Sequence, residues 1–263
     1  MWLTAHAGLV YSLVGMPTTN RFARPLAELD SEERGIAEAA VRAAHETFRQ
    51  FADRPGSEYY AAGGLEPEVT WQRVTEELAR VSVIAAVEGA RDRDLTVEDI
   101  EQIHEGIFAP VFGTSQGFRT TGEGVLYPVV LGTREAPVVV PRRGVRHKQI
   151  RKRTEKALIR FHEDVAEFRA AADAGGVPLR AAIVPPVRLY ARLISIHPFV
   201  DGNGRTAWAV FCHALLRCGL LLVAIPPTPE TRWALGMAIR ADRRQEIEPL
   251  VDIVEQTIRH SSA

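Results

Sequence analysis

The sequence predicts a mainly α-helical protein that carries one small β-hairpin. Apolar residues recur at helical spacing through most of the 263-residue chain. Two short runs rich in β-branched residues, 125–131 and 136–140, stand on either side of Gly132-Thr133-Arg134-Glu135. A tight polar connection that contains glycine between two such runs is typical of a hairpin. This hairpin is therefore the part of the chain with a clear β pattern.

Three helices are predicted before the hairpin. The first covers 32–52, with Ser31 as its N-cap, and its apolar stripe consists of Ile36, Ala40, Val41, Ala44 and Phe48. Residues 54–65 are rich in turn-forming residues and are predicted to form a loop. Helices over 69–89 and 96–108 follow. Thr96 is the predicted cap of the second, because two acidic residues occupy the next turn.

Five helices are predicted after the hairpin. The first covers 146–171, and its inward-facing residues are Ile150, Ala157, Leu158, Phe161, Val165 and Phe168. The apolar runs 187–196 and 206–218 predict two buried helices. Pro226-Pro227-Thr228-Pro229 interrupts the chain, and helices over 231–243 and 249–259 complete the domain.

The overall charge excludes some classes of partner. With 32 basic and 33 acidic residues, the formal net charge of −1 indicates neither nucleic acid nor an anionic membrane surface as a ligand. A local basic run lies over 142–153. It is either a solvated surface or a contact for a phosphate or an acidic partner.

The cysteines and the start of the chain indicate a cytoplasmic protein. Cys212 and Cys218 are expected to be buried, unpaired thiols, because they face different sides of one helix. This usage suits a reducing compartment. The apolar stretch 1–16 lacks the basic region of a signal peptide and is too short to span a bilayer. We expect it to be a strand or arm that packs on the body.

The strongest functional indication is the segment His197-Pro198-Phe199-Val200-Asp201-Gly202-Asn203-Gly204-Arg205. It lies between two predicted helices, so Gly202, Asn203 and Gly204 stand where a loop becomes a helix N-terminus. Unpaired backbone N–H groups and the positive end of the helix dipole make such a position an anion site. The glycines allow positive φ angles and close approach to a ligand.

The charged residues of this segment suit phosphate-ester chemistry. Arg205 can present a planar fork to phosphate oxygens. Asp201 is a hard oxygen ligand of the kind that Mg²⁺ uses together with substrate phosphates. His197 can accept a proton near neutral pH. Phe199 is expected to anchor the loop in the core.

This segment resembles the Fic family signature H-x-F-x-[DE]-G-N-G-R-x-x-R over residues 197–205. Fic proteins mostly transfer AMP from ATP to a hydroxyl of a target protein. The resemblance implies that His197 is the general base and that Asp201 holds Mg²⁺. It also implies that the phosphates are bound by Gly202, Asn203, Gly204 and Arg205.

One position departs from the signature. Trp208 stands where the family has its second arginine, which contacts the γ-phosphate and pairs with an inhibitory glutamate. Either Trp208 changes how the nucleotide is bound, or it packs against neighbouring helices. An indole offers one N–H donor and no charge, so preference for a triphosphate is expected to be weak.

Two further segments resemble Fic elements. Gly117-Phe118-Arg119 is similar to the G-x-[FY]-R element before the Fic flap, here predicted over about 117–141. In the family this hairpin aligns the target by strand addition. The resemblance assigns that role to Phe118, Arg119, Val125, Leu126 and Tyr127, with a purely structural hairpin as the alternative.

The second of these segments, 78–89, is the C-terminal part of the predicted helix 69–89. It partly matches the inhibitory motif [ST]-x-x-x-E-[GN], with Ile84 at the Ser/Thr position. Glu88 is therefore either an inhibitory residue or a solvated last-turn residue before a glycine C-cap at Gly89.

The expectation is a mainly α Fic-type fold with a small hairpin flap. Residues 1–77 would form an N-terminal helical extension, and residues 78–263 the Fic-type domain. The expected function is transfer of AMP, or another nucleotide-derived phosphoryl group, from a nucleotide with Mg²⁺ to a protein hydroxyl. A homodimer, and the identity of the target protein, are left open.

Two alternatives remain. One is a Fic-fold protein of low activity that binds a nucleotide and a partner. The other is a phosphotransferase similar to Doc, although Doc signatures typically have lysine at the position of Gly204.

Overall fold

Helices dominate the part of the chain that the computed structural model describes, namely residues 20–48, 67–113, 117–120, 126–174, 176, 178–225, 228–240 and 247–261. The predicted mainly α class with one antiparallel hairpin is confirmed. The elements are α1 Ser31–Phe48, α2 Pro67–Ala90, α3 Val97–Phe112, β1 Leu126–Gly132, β2 Pro137–Arg143, α4 Ile150–Asp173, α5 Leu179–Ile196, α6 Asn203–Arg217, α7 Pro229–Arg240 and α8 Glu248–Ser261. Short 3₁₀ turns among the described residues cover Arg21–Ala23, Leu26–Glu28 and His147–Gln149.

Side-chain caps fix the starts of two helices. Thr96 caps α3 as predicted, and it forms a reciprocal capping box with Asp99. The prediction of Ser31 as the cap of α1 is wrong, because Ser31 is the first residue of the helix. Asp30 accepts a hydrogen bond from the Glu33 N–H at 2.9 Å, and the Glu33 carboxylate accepts one from the Asp30 N–H at 3.0 Å.

The helix α6 occupies the centre of the described structure. It packs against α2, α5 and α3, and α1 covers α2 from outside. Its core-facing side chains are fully buried, and they include Trp208, Phe211 and Leu215. Both cysteines are buried free thiols, as predicted. Neighbouring helices thus enclose the sides of α6, which leaves its N-terminal and C-terminal ends.

The hairpin is attached to the body through α7. Trp233 donates its indole N–H to the carbonyl oxygen of Gly132 at 3.0 Å, and Arg134 pairs with Glu230 at 2.6 Å. Gly236 lies so close to the Val130 carbonyl that a side chain there would overlap it. The strand β1 therefore lies directly against the backbone of α7.

The segment before α1 is joined to α2 and α3. Phe22 is fully buried, and its carbonyl oxygen accepts a hydrogen bond from Arg80 at 2.9 Å. Arg21 pairs with Asp99 at 2.6 Å. The division at residue 77 stays a prediction, and the N-terminal arm 1–16 and the loop 54–65 lie outside the described residues. Across the described helices, none has both the length and the apolar character needed to cross a membrane.

Candidate active site

His197 lies at the C-terminal end of α5 in a left-handed backbone conformation. Its φ and ψ angles are 54° and 61°, which are uncommon for a residue other than glycine. The carbonyl oxygen of His197 accepts a hydrogen bond from Arg119 Nε at 2.9 Å. The preceding carbonyl, that of Ile196, accepts one from the Val145 N–H at 3.1 Å. Contacts from two other segments therefore hold the conformation in which the imidazole leaves the helix.

The environment of His197 keeps its imidazole neutral at pH 7. Burial lowers the pKa of His197 to about 4, and the positive charge of Arg119 contributes in the same direction. A hydrogen bond to the Ile194 backbone and the charge of Asp201 oppose these effects on the pKa. A neutral imidazole can accept a proton, so this residue is in the protonation state that a general base needs.

Asp201 and Gly202 lead directly into α6. Gly202 has a φ of 77°, and its N–H donates to the Asp201 carboxylate at 2.6 Å. The ring of Phe108 occupies the space that a Gly202 side chain would need. Gly202 is the N-cap of α6 and supplies no side-chain cap. The N–H groups of the first turn have no acceptor within a helix, so this end can receive an anion.

The side chain of Asn203 holds the signature loop in place. The residue is only 5% exposed. Its Oδ1 accepts a hydrogen bond from the Phe199 N–H at 2.9 Å, and its Nδ2 donates to the Phe199 carbonyl at 3.0 Å. The side chain therefore braces the loop, and only the backbone of Asn203 remains for an anion. Gly204 is exposed, with open space beside its Cα.

The loop also rests on aromatic rings from α3. Phe199 is fully buried, as predicted. The Arg205 guanidinium lies 5.5 Å from the centre of the Phe108 ring, which is a cation–π contact. This packing sets the direction in which Arg205 leaves the helix.

His104 is a site residue that the sequence interpretation missed. It is 2% exposed, stacks on Phe199 at 3.8 Å, and has Nε2 3.2 Å from the Asp201 carbonyl oxygen. Burial lowers the pKa of His104 to about 4, so the ring is neutral and Nε2–H donates. The signal was available, because His104 lies between Ile100 and Phe108 on the apolar face of α3.

Phe118 and Arg119 contact the signature loop. Arg119 is 4% exposed, and besides His197 it hydrogen-bonds the Val145 carbonyl, while its own N–H donates to the Pro198 carbonyl at 3.0 Å. Phe118 packs 5.3 Å from Phe199. The buried Arg119 side chain cannot reach a target, so its assignment to target alignment is corrected, whereas that of Phe118, which is half-buried, stays a prediction.

The other flap residues are described only in part. The backbones of Leu126 and Tyr127 pair with Arg143 and Arg142 in the hairpin. Val125 lies outside the described residues. Their role in target alignment stays a prediction that rests on the backbone of the hairpin.

Glu88 is buried and lies away from the loop. The residue is 4% exposed and pairs with Arg93 at 2.9 Å and with Arg21 at 3.5 Å. The interpretation as a solvated last-turn residue is therefore wrong, and α2 continues to Ala90, so Gly89 is not a C-cap. The neighbouring Gly89 touches the His213 backbone. His213 is eight residues beyond Arg205, about 12 Å along the helix axis.

Trp208 is a core residue. It is fully buried, 6.1 Å from Phe48 of α1 and 5.8 Å from Phe211 between ring centres. Its indole therefore packs against neighbouring helices and presents no donor to a ligand at the signature loop. The remaining charge on this helix turn is that of Arg205.

Comparison with known proteins agrees with this geometry. Residues 94–215 match the Fic/DOC family. The curated Protein adenylyltransferase Fic of Drosophila virilis and that of Drosophila melanogaster are each 36% identical to the chain over 69 residues. The aligned part is 26% of this chain and 14% of each relative, so the chain matches a small part of those proteins.

One solved structure has a similar fold along most of the chain. It is the crystal structure of a Fic-domain-containing signaling protein from Bacteroides thetaiotaomicron. The similarity covers 91% of both chains, with a TM-score of 0.57 and 15% sequence identity. At this identity the similarity concerns the fold alone, and the family match covers residues 94–215, which span α3 to α6 with the hairpin.

Proposed function

We propose that this protein is a nucleotidyltransferase that moves AMP, or another nucleotide-derived phosphoryl group, to a hydroxyl of a protein target. The observation that carries the proposal is the pairing, on one loop, of a neutral imidazole with an uncapped helix N-terminus. The first can take a proton, and the second can stabilise phosphate charge. The name of the curated relatives, Protein adenylyltransferase Fic, supports the same activity.

The proposed reaction is an in-line displacement at the α-phosphorus of ATP. The target hydroxyl oxygen forms the new P–O bond, and its proton passes to the unprotonated nitrogen of His197. The bond between the α-phosphorus and the bridging oxygen breaks, and pyrophosphate leaves. The backbone N–H groups at the start of α6 and the Arg205 guanidinium stabilise the charge on the departing phosphates.

The donor set suits Mg²⁺. Asp201 is a carboxylate at the start of the helix, half-exposed, and its position is fixed by the Gly202 N–H and by His104 at its backbone carbonyl. Magnesium binds proteins through one or two carboxylates together with substrate phosphates and water. When bound, the ion would neutralise phosphate charge beside Asp201.

A second candidate is a Fic-fold protein that binds a nucleotide and a partner but transfers slowly. The burial of Trp208 favours it, because the position offers no cation to a third phosphate. The two candidates differ in rate and share the binding site.

Intact-mass measurement tests the proposal. The purified protein is incubated with Mg²⁺ and each of ATP, GTP, CTP and UTP, and mass spectrometry then searches it for covalent adducts. We expect a nucleoside-monophosphate adduct in the wild type and none in His197→Asn, since asparagine tolerates the left-handed backbone but is no base. Nucleotide binding without any adduct would support the second candidate, and an equal adduct in both proteins would contradict the proposal.

A further inference from the structure

The charges of α4 are arranged against the dipole of the helix. The positive end of this dipole, at the N-terminus, favours acidic side chains, and the first turns of α1, α3, α7 and α8 carry them. The first turn of α4 instead contains Arg151, Lys152 and Arg153 and no acidic residue. Toward the other end lie the exposed residues Glu163 and Glu167, and the last turn has no basic residue. This arrangement lowers the stability of the helix itself, and such departures are expected where a surface has a further role.

Five residues of α4 form one line on its outer face. They are Lys152, Lys156, Ile159, Glu163 and Glu167, spaced by four, three, four and four residues, which places them on the same side of the helix. All five are exposed, and Ile159, at 51%, is among the most exposed large apolar side chains of the described residues. This outer stripe therefore has a basic half, an apolar centre and an acidic half.

The charges of the outer stripe are available to a partner. Within the described part of the chain, Lys152, Lys156 and Glu167 form no ion pair. Glu163 pairs with Arg160 at 3.5 Å, but both side chains are more than half exposed, so the pair contributes little to stability. Such side chains can form pairs across an interface without first breaking strong contacts inside the protein.

A second copy of the outer stripe complements the first when the two helices run antiparallel. Lys156 and Glu163 are centred on a point between residues 159 and 160, and Lys152 and Glu167 have the same centre. A two-fold axis through this point places each lysine of one copy opposite a glutamate of the other. The same axis brings the two Ile159 side chains together. Four ion pairs would thus flank one apolar contact.

Other partners fit the outer stripe less completely. A nucleic acid strand along α4 would meet the basic half and then Glu163 and Glu167, which lie about 6 and 12 Å beyond Ile159 along the helix axis. Its phosphates would also lie over the exposed Ile159, which gains from an apolar neighbour. An acidic protein would leave the acidic half of the stripe unmatched. Pairing with a second copy uses both halves and the centre.

We propose that this protein forms a two-fold symmetric homodimer in which the outer stripes of two α4 helices pair in antiparallel orientation. The stripe is narrow and mostly polar, so the dimer belongs to the weak and reversible class of interfaces. None of its five residues belongs to the signature loop or to the segments that hydrogen-bond that loop. Association can therefore be measured apart from transfer, and it does not depend on the proposed function.

Sedimentation equilibrium of the purified protein tests the charge pattern. At about 20 mM salt we expect a dimer with a Kd of about 10–100 μM, and at about 500 mM salt weaker association because exposed pairs are screened. Lys152→Glu/Lys156→Glu and Glu163→Lys/Glu167→Lys should each associate at least about tenfold more weakly than the wild type. An equimolar mixture of these two variants should form a heterodimer at least as tight as the wild-type dimer, because one stripe is then acidic and the other basic.

Two controls separate association from folding. Lys152→Glu/Lys156→Glu brings acidic residues to the first two turns of α4, so this variant should melt at the same temperature as the wild type or higher. Arg34→Glu/Arg42→Glu reverses two exposed charges of α1 and should dimerise like the wild type. A wild type that stays monomeric up to about 1 mM would overturn the proposal. A dimer that the reversals on α4 leave unchanged, or a mixture that fails to associate, would overturn it as well.

Cysteine cross-linking tests the position of the axis. In Ile159→Cys the two introduced thiols meet at the axis, so mild oxidation should produce a disulfide-linked dimer on a non-reducing gel. Ala170→Cys places a thiol on the same face about 16 Å from the axis, and this variant should stay monomeric on the gel. The native Cys212 and Cys218 are buried, and the wild type is the control for them. Cross-linking in Ala170→Cys but not in Ile159→Cys would overturn the antiparallel arrangement.

Discussion

The two ends of α6 differ in how their polar groups are used. At the C-terminal end, Arg217 pairs with Asp94 at 2.9 Å, and His213 donates to the Arg93 carbonyl at 2.8 Å. At the N-terminal end, Gly202 provides no side-chain cap, and the residues around it hold the loop's shape. At one end charged side chains pair with each other, and at the other the first backbone N–H groups of the helix are the ones that the proposed function assigns to phosphate. The difference shows that an ion cluster at one end of a buried helix stabilises the fold, whereas the end without a side-chain cap is the candidate for ligand binding.

The largest expected effect is at the N-terminal end. His197→Asn should lower the transfer rate by about 10²–10⁴-fold, the usual contribution of a positioned general base. Nucleotide affinity, measured by calorimetry, should stay within about threefold, because the phosphate contacts come from α6. A variant that folds normally and keeps its full rate would remove His197 from the chemistry.

The C-terminal end should respond to pH through stability. Burial lowers the pKa of His213 to about 3, so below pH 6.5 the unfolded chain binds a proton that the folded protein does not. The free energy of unfolding therefore falls as the pH drops from 6.5 toward 3, by about 2 kcal/mol from this group between pH 6.5 and 5.

His213→Gln can keep the hydrogen bond to Arg93 without the titration. Urea unfolding at pH 6.5 and pH 5 should therefore show a smaller pH dependence in this variant. An unchanged difference between the two pH values would contradict the assignment to His213.

Asp201→Asn should weaken nucleotide binding in magnesium by about ten- to a hundredfold, the contribution of a charge-assisted contact. The amide oxygen still accepts from the Gly202 N–H, so the loop geometry is kept. Calorimetric titration with ATP, with and without Mg²⁺, measures the effect. Equal metal dependence in both proteins would exclude Asp201 as the ligand.

Glu88→Gln tests whether the ion cluster at the C-terminal end acts on the site. Removing the charge leaves Arg93 without its buried partner and Arg21 with Asp99 alone. Since both arginines are partly exposed, we expect a loss of about 1–2 kcal/mol in stability. Transfer per folded molecule should not rise, because Glu88 lies beside Gly89 and His213, away from Arg205. A hundredfold rise would restore the inhibitory role for Glu88.

The smallest effect is expected for the third phosphate of the nucleotide, as the difference in affinity between ATP and ADP. Trp208 is buried and offers no cation, so ATP and ADP should bind within about tenfold of each other. Competition binding of the two nucleotides to the wild type measures this difference. A preference of a hundredfold for ATP would show that another group contacts the third phosphate.

The features that depend on residues close together in the chain could be predicted from the sequence. The signature residues are adjacent in the chain and lie between two apolar helical runs, so the loop-to-helix junction and the burial of Phe199 followed directly. The N-cap Thr96 could also be predicted, because this residue and its partner Asp99 are three residues apart. The hairpin followed from two β-branched runs around a glycine.

The remainder depends on contacts between distant residues. The burial of Glu88 requires Arg21, and the burial of Trp208 requires Phe48, which lie 67 and 160 residues away in the chain. Arg119 was expected to face a target and instead holds the His197 carbonyl, 78 residues later. Spacing along the chain carries no information about such pairs. Where a charged side chain points was therefore predicted less well than which helix carries it.

The contact between Gly236 and the Val130 carbonyl limits how far the domain can be shortened. The family match ends at residue 215, yet the hairpin inside it is fastened to α7, Pro229–Arg240, which lies beyond that point. A chain cut after α6 would keep His197 and its loop but lose the surface that orients the strand beside them. A signature loop grafted alone onto another helical scaffold would likewise lack the strand that lies beside it here.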